Sequence, residues 1–270
     1  MTTRVTIVGG TGKLGGVIRQ VVEAEPGFEV AAVLTSRSDL DEMAGSDLVV
    51  DASTPAVSID VVRAAVAHGI NVLVGTSGWS GERIGQVRPL VNDAGTGAVF
   101  IPNFSLGSIV GSAIAAAAAP FFPSIEIVEA HRDTKVDSPS GTAVRTAEMI
   151  AAARSSIGPV ASPHVDQRAR GQQVASVPVH SLRRPGVIAR QEVVLSGAGE
   201  SLTIVHDTID PALAYAPGIR IALAAARDAR GVIVGLDSFI DIGLRLPSER
   251  AGEPVDDAGA AGQVARATEV

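Results

Sequence analysis

The sequence predicts an α/β fold: a Rossmann-type doubly wound parallel sheet, joined to an inserted α+β domain with an open mixed sheet. Three observations carry that expectation. Short apolar strands alternate with helical segments from the N-terminus to Ser105. A glycine-rich turn, Gly9-Gly10-Thr11-Gly12-Lys13-Leu14-Gly15, follows the first strand and opens the first helix. After Ser105 the alternation gives way to a long Ala-rich helix and a run of consecutive strands.

The elements follow in order. Residues 5–8 form a short apolar strand, and an amphipathic helix runs from the glycine turn to about 23. Strands are expected at 29–34, 47–51, 71–74 and 98–101, with helices at 59–68 and 86–93. The second part opens with the helix 109–119, then the strand 125–130 and the helix 143–154. A polar loop rich in Arg, Gln and Gly leads to strands at 177–182, 187–195 and 201–207. Alternation in the last two implies a sheet with one face covered by helices. A return helix at 219–229 and a closing segment at 236–242 pack on the first domain. The expected division is 1–106 with 216–246 for a dinucleotide-binding domain, and 107–215 for a substrate and oligomerisation domain. Residues 247–270, poor in large apolar side chains, are expected to be disordered.

Composition fits this plan. With 270 residues and 46% apolar content, the chain has material for one large domain or two modest ones. Aromatics are only 3%, so the core is built from Val, Ile, Leu and Ala, as in parallel strands buried on both faces. A net charge of −7 argues against nonspecific nucleic-acid binding. The absence of cysteine excludes disulfides and thiolate zinc sites. The first residues run straight into a strand, so no signal peptide is expected. The alanine run 113–119 is far too short to span a membrane. The expectation is a cytoplasmic protein with no membrane partner.

Gly9, Gly12 and Gly15 have the G-x-x-G-x-x-G spacing. At a first βα turn such glycines let the backbone approach a pyrophosphate, whose charge is favoured at a helix N-terminus. The alternative is a glycine-rich turn with no ligand. The second strand ends in Leu34-Thr35-Ser36-Arg37. An acidic residue there would suit the ribose hydroxyls of NAD, whereas hydroxyls and an arginine suit a 2′-phosphate. Arg37 is equally readable as a surface charge.

The most informative stretch runs from Glu129 to Ala143: Glu-Ala-His-Arg-Asp-Thr-Lys-Val-Asp-Ser-Pro-Ser-Gly-Thr-Ala. A strand end carries His131 and Lys135, and a small-residue loop then opens a helix. Ser140, Gly141 and Thr142 would offer N–H groups and hydroxyls to an anion. A proton donor, a cation and an anion-binding turn together suggest a small acidic substrate. The plainer reading is a basic surface loop before an ordinary capped helix.

With these motifs together, the chain resembles the dihydrodipicolinate reductase family of the diaminopimelate route to lysine. The resemblance runs from about Arg4 to Leu244. The family signature is matched in register by Glu129, His131, Lys135, Asp137, Pro139, Ser140, Gly141, Thr142 and Ala143. Further matches are Asp51 with Thr54-Pro55, Gly75-Thr76-Ser77-Gly78, Pro102-Asn103-Phe104, Arg170-Gly171, Val179-His180, Gln191-Glu192-Val193 and His206-Asp207. The resemblance implies an NAD(P)H-dependent reductase, a cyclic imine dicarboxylate substrate, and a homotetramer built by the open sheet. It implies that His131 and Lys135 handle the proton, and histidine as a residue type changes charge near neutral pH. Ser140, Gly141 and Thr142 would hold one carboxylate. The cofactor-binding set would be Gly9, Thr11, Gly12, Lys13, Leu14, Thr35, Arg37, Ser53, Gly75, Thr76, Asn103 and Phe104. Gly75 and Thr76 would lie by the nicotinamide, and Asn103 and Phe104 near the hinge. NADPH is the expected cofactor, with NADH possible, and no metal is expected.

The departures bear on substrate identity. Arg132 stands at the family's second histidine, a position that contacts a substrate carboxylate; an arginine fork can do the same with permanent charge. Thr11 stands where some members carry a basic residue. The segment 210–215 lacks the arginine or serine often found after the His-Asp pair. Arg132 keeps open a paralogous reductase of another cyclic imine or keto acid. A non-catalytic NADP-binding regulator is the third reading, against which His131 and Lys135 together argue. Among other residues, His68 and His164 read as surface histidines and His180 and His206 as structural strand residues. Trp79 reads as a nicotinamide neighbour or a packed aromatic. Asp51 reads as a crevice residue or a helix cap.

Overall fold

The computed structural model of the chain describes residues 1–243. The tail at 247–270, and the last residues of the expected domain 216–246, lie outside the described residues.

The first half alternates as the apolar pattern dictates. The elements are β1 (Thr3–Val8), α1 (Lys13–Ala24), β2 (Phe28–Leu34), β3 (Leu48–Asp51), α2 (Ser58–Ala67), β4 (Asn71–Val74), α3 (Gly81–Asp93) and β5 (Gly97–Phe100). β3, β4 and β5 are buried at every position, which explains their unbroken apolar runs. Helices sandwich the sheet. Ile18 and Val22 of α1 lie on one face, and Val61, Val62, Val87 and Val91 of α2 and α3 on the other.

The second half continues with α4 (Leu106–Ala118), β6 (Ser124–His131), α5 (Gly141–Ala153), β7 (Gln172–Val174), β8 (Val177–Arg183), β9 (Ala189–Ser196) and β10 (Ser201–Thr208). Its sheet has the order β10-β9-β6-β8-β7, with β6 parallel to β8 and antiparallel to β9. α4 and α5 cover one face: Ala115, Ala143, Ala147 and Ile150 pack on Ile125, Ile127, Val179 and Leu195. Buried Arg154 ties the end of α5 to that of α4, donating to the carbonyls of Ala119 at 2.6 Å and Phe122 at 2.7 Å. On the other face no helix among the described residues covers the row Val128, Glu192 and Val205, or Leu182 beside it.

The chain then returns through α6 (Pro211–Asp228) and β11 (Gly231–Val234). β11 completes a six-stranded parallel sheet of order β11-β5-β4-β3-β1-β2. Strand order reverses between β1 and β3, and such a reversal opens a crevice at the carboxyl ends of the strands. Asp210 caps α6 by accepting from Ala212 and Leu213 N–H at 2.9 and 3.2 Å. At the far end, Asn71 donates to the carbonyls of Ala226, Arg227 and Ala229, each at 3.0 Å. Gly218, midway, lies directly against the carbonyl of Phe104.

Several elements differ from expectation. α3 starts at Gly81 rather than 86, because the Ser80 hydroxyl caps it by accepting from Arg83 N–H at 3.2 Å. α6 starts at Pro211 rather than 219 and runs unbroken across 215/216, with Pro217 inside it. The strands β7 and β11, three and four residues long, were not expected.

Candidate active site

At the carboxyl end of β1 the backbone turns back on itself. Gly9 has φ +82°, and a Cβ there would come within 2.5 Å of the Ala52 carbonyl. A Cβ on Gly15 would run into the backbone of Gly9 and Gly10. Gly12 brings no side chain to cap α1, so the first-turn N–H groups at Lys13 and Leu14 have no capping partner among the described residues. The result is a cradle whose floor is backbone, as a pyrophosphate needs.

Other expected residues gather around this cradle. Leu34, at the end of β2, accepts from Gly9 N–H at 2.8 Å, which sets Thr35 and Arg37 beside the loop. The Thr35 hydroxyl accepts from Arg37 N–H at 3.3 Å. The exposed Arg37 side chain has no hydrogen bond or ion pair among the described residues. Gly75 at the end of β4 donates its N–H to the Asp51 carbonyl at 2.9 Å, and Thr76 its hydroxyl at 3.3 Å. Leu14 and the Phe104 ring both lie against Gly75. Ser53 donates its N–H to Asp51 at 3.0 Å, and Ser53 and Ser58 both donate their hydroxyls to it. Asp51 is fully buried. It therefore fastens the β3–α2 turn through these three bonds, without capping α2, whose N-cap is Val57. Trp79 donates to Ser58 at 2.8 Å and packs with its ring centroid 4.6 Å from that of Phe100, so it is a packed aromatic.

A cavity of about 110 Å³ lies between the two sheets, lined among others by Asn103, His131, Ser140, Thr142, Gln191 and Tyr215. Asn103 spans it, donating to Ser108 at 2.9 Å and Thr142 at 3.4 Å. Ser140 caps α5 by accepting from Ala143 N–H at 3.2 Å. The N–H groups of Gly141 and Thr142 have no partner among the described residues. This end of α5 has the donors an anion requires.

His131 is held from behind. Its Nδ1 donates to Glu129 at 2.6 Å, leaving Nε2 for the cavity. Glu129 is fully buried. Arg183 grips it with both terminal nitrogens at 3.0 Å, and Ser140 N–H donates to it at 3.2 Å. Burial alone would raise this carboxyl, but the bonds from His131 and Arg183 prevail and hold it at about 2. Arg183 also donates to the carbonyls of Lys135 and Asp137, so the loop after β6 is tied to the same guanidinium.

The remaining expected residues lie apart from this cavity. Lys135 does not line it and donates to both Asp137 oxygens at 2.8 Å. Arg132 is exposed and also off the cavity wall. It lies near Tyr215, where its charge partly opposes the burial that raises the phenol.

Comparison with known proteins settles the family. Residues 3–104 match the family model described as dihydrodipicolinate reductase, N-terminus, and residues 107–240 match the corresponding C-terminus. The chain belongs to the dihydrodipicolinate reductase family. Among its relatives is a 4-hydroxy-tetrahydrodipicolinate reductase of Clavibacter sepedonicus, 56% identical over 276 residues, covering 99% of both chains. One from Streptomyces griseus is 39% identical over 88% of this chain and 98% of its own. The dipicolinate-bound dihydrodipicolinate reductase of Paenisporosarcina sp. TG-14 superposes with a TM-score of 0.74 at 27% identity, over 89% of this chain and all of that one.

In this reductase, several residues at the site were not picked out from sequence. Glu129 was noted only as part of a signature, and Arg183 not at all. His206, read as structural, lines the cavity with its Nε2 3.2 Å from the Ser105 hydroxyl, and burial lowers its pKa against the opposing charge of Asp207. His180 does sit in a structural pair, 2.7 Å from Glu126. Inward alternation on β10 was the available signal for His206; none existed for Arg183 or Tyr215.

Proposed function

We infer that the chain reduces 4-hydroxy-tetrahydrodipicolinate to tetrahydrodipicolinate with a nicotinamide nucleotide, on the diaminopimelate route to lysine. The carrying observation is the cavity that holds His131, braced by Glu129, next to the open N-terminus of α5. Overall, substrate, reduced nucleotide and one proton give product, oxidised nucleotide and water. When bound, the nicotinamide supplies the hydride to the unsaturated ring formed as water is lost. His131 holds the proton at Nε2 and acts as general acid, and Lys135 keeps cationic charge near the developing negative charge. Ser140, Gly141 and Thr142 bind one carboxylate, with Arg132 assisting at the mouth. The residues suited to the nucleotide are Gly9, Thr11, Gly12, Lys13 and Leu14 under the phosphates, and Thr35 and Arg37 at the ribose. Ser53 flanks the loop, and Gly75, Thr76, Asn103 and Phe104 line the nicotinamide side. The backbone floor at Gly9 and Gly15 fits such a group, since a side chain there would fill its place.

The test is turnover of enzymatically generated substrate, followed by loss of reduced-nucleotide absorbance. Turnover supports the reading; nucleotide binding without turnover favours a regulator.

The unpaired Arg37 supports a preference for NADPH. Calorimetry is expected to find NADPH bound more tightly than NADH, with the difference lost in Arg37→Ala. Equal affinities in the wild type would reject the preference.

Arg132→Ala is expected to raise KM for the dicarboxylate more than it lowers kcat, the mark of lost ground-state binding. Arg132→His should retain substantial activity. If the wild type lacks activity that Arg132→His gains, the arginine redirects specificity and the paralogue reading takes over.

A homotetramer is supported by the uncovered sheet face, where Leu182 and Val205 are 43% and 46% exposed. We keep the domain division at 106/107 and 215/216, the second boundary now lying inside α6. No helix among the described residues is long and apolar enough to cross a membrane. A biosynthetic reductase of this kind fits the cytoplasm.

A further inference from the structure

Gln191 is one of several polar residues at the cavity that the proposed reaction does not use. It stands on β9 directly opposite Glu129 on β6 and is 8% exposed. Its Nε2 donates to the Thr146 hydroxyl on α5 at 2.9 Å. Thr146 in turn donates to the Thr142 carbonyl at 2.9 Å and meets the Ser112 hydroxyl at 2.7 Å. With its proton spent on Thr142, Thr146 receives Gln191 as an acceptor, and this fixes which way the amide lies. The Gln191 Oε1 is left buried, with no partner among the described residues.

Polar groups this buried are nearly always paired, and an unpaired one calls for an explanation. The residue lines the cavity, so a molecule there is the candidate partner. The other polar groups described at the cavity include unpartnered donors, the N–H groups of Gly141 and Thr142 at the start of α5. They suit carboxylates, which accept. Oε1 requires the opposite, a donor on the ring. The substrate named for the relatives carries one, the 4-hydroxyl, which remains whether or not the imine nitrogen is protonated.

We propose that Gln191 Oε1 accepts a hydrogen bond from the 4-hydroxyl, making Gln191 a substrate-contacting residue that selects the hydroxylated ring. The proposal rests on the reductase reading. Sites built to bond a hydroxyl discriminate strongly against rings that lack it, because the buried acceptor is then stranded. The reduced product has lost that hydroxyl as water, so the contact is made by substrate and not by product.

The test compares two ligands. Dipicolinate has both carboxylates and no ring hydroxyl. In Gln191→Met, similar in length but without the amide, KM for the hydroxylated substrate should rise about tenfold, the scale of one lost hydrogen bond. The calorimetric Kd for dipicolinate, with nucleotide present, should stay within about twofold of wild type. That retained binding also reports a folded site. Thr146→Val, which frees the amide to turn, should show the same selective rise and carries the test if Gln191→Met does not fold. Parallel weakening of both ligands, or no change in KM, overturns the proposal. Absence of turnover in the wild type overturns the reductase reading, and this inference with it.

Discussion

His131→Ala is expected to lower kcat by about a hundredfold to ten-thousandfold, the usual worth of a positioned general acid, while nucleotide affinity stays within a few-fold. The separation follows from geometry. His131 ends β6 in the second sheet, whereas the glycine cradle is built on β1, β3 and α1 of the first. Removing the imidazole leaves the cradle intact and strips the cavity of the nitrogen that faces the ring. Lys135→Ala should act in the same direction and less severely, because its ammonium is engaged with Asp137. Single-turnover kinetics together with nucleotide titration would check this. A kcat for His131→Ala within a few-fold of wild type would sink the assignment.

Glu129→Ala is expected to damage both folding and chemistry. Breaking a buried ion pair from one side typically costs about 3–5 kcal/mol, since the abandoned charge stays buried. Here Arg183 would lose its bidentate partner, and the loop it holds through the Lys135 and Asp137 carbonyls would lose its anchor. His131 would lose the acceptor that orients its ring. In the wild type, the Glu129 carboxyl is ionised in the fold down to about 2, against 4.5 when free. The folded state therefore binds fewer protons than the unfolded one between those values. Its contribution to stability is complete above pH 4.5 and is lost as the pH falls toward 2. Urea unfolding at neutral pH should show Glu129→Gln well below wild type, with the gap closing under acid. Equal stability at neutral pH would show that the pair contributes nothing net. A kcat unaffected in Glu129→Gln would remove its role in positioning His131.

The inner strands β3, β4 and β5 were legible because burial on both faces writes itself as a continuous apolar run, as at Val72-Leu73-Val74. The glycine turn was legible because its constraint is local: Gly9 and Gly15 crowd residues close in sequence or at the next strand end. β11 was not, since four residues between Arg230 and Gly235 carry too little pattern until β5 lies beside them. α6 was cut short by Pro217-Gly218, a dipeptide that reads as a break and is tolerated inside the helix. The stretch 129–143 gave up His131 and the α5 cap because both are local. The brace behind His131 was hidden because it is made across the sheet. Arg183 reaches Glu129 from 54 residues away, and Gln191 faces Glu129 only through the β6–β9 register. Spacing along a chain cannot report such pairings.

The chain crosses between its two sheets twice, once at Phe104 and once along α6, and the crossings touch where Gly218 backs onto the Phe104 carbonyl. Two tethers set far apart would clamp one body against the other. Two tethers meeting at a single spot behave as the pin of a door. α6, fastened by Asn71 at its far end, brings Tyr215 to within one helical turn of that pin. The cavity wall at Asn103 and Tyr215 therefore lies close to the pin, where a turn of one leaf against the other displaces atoms least.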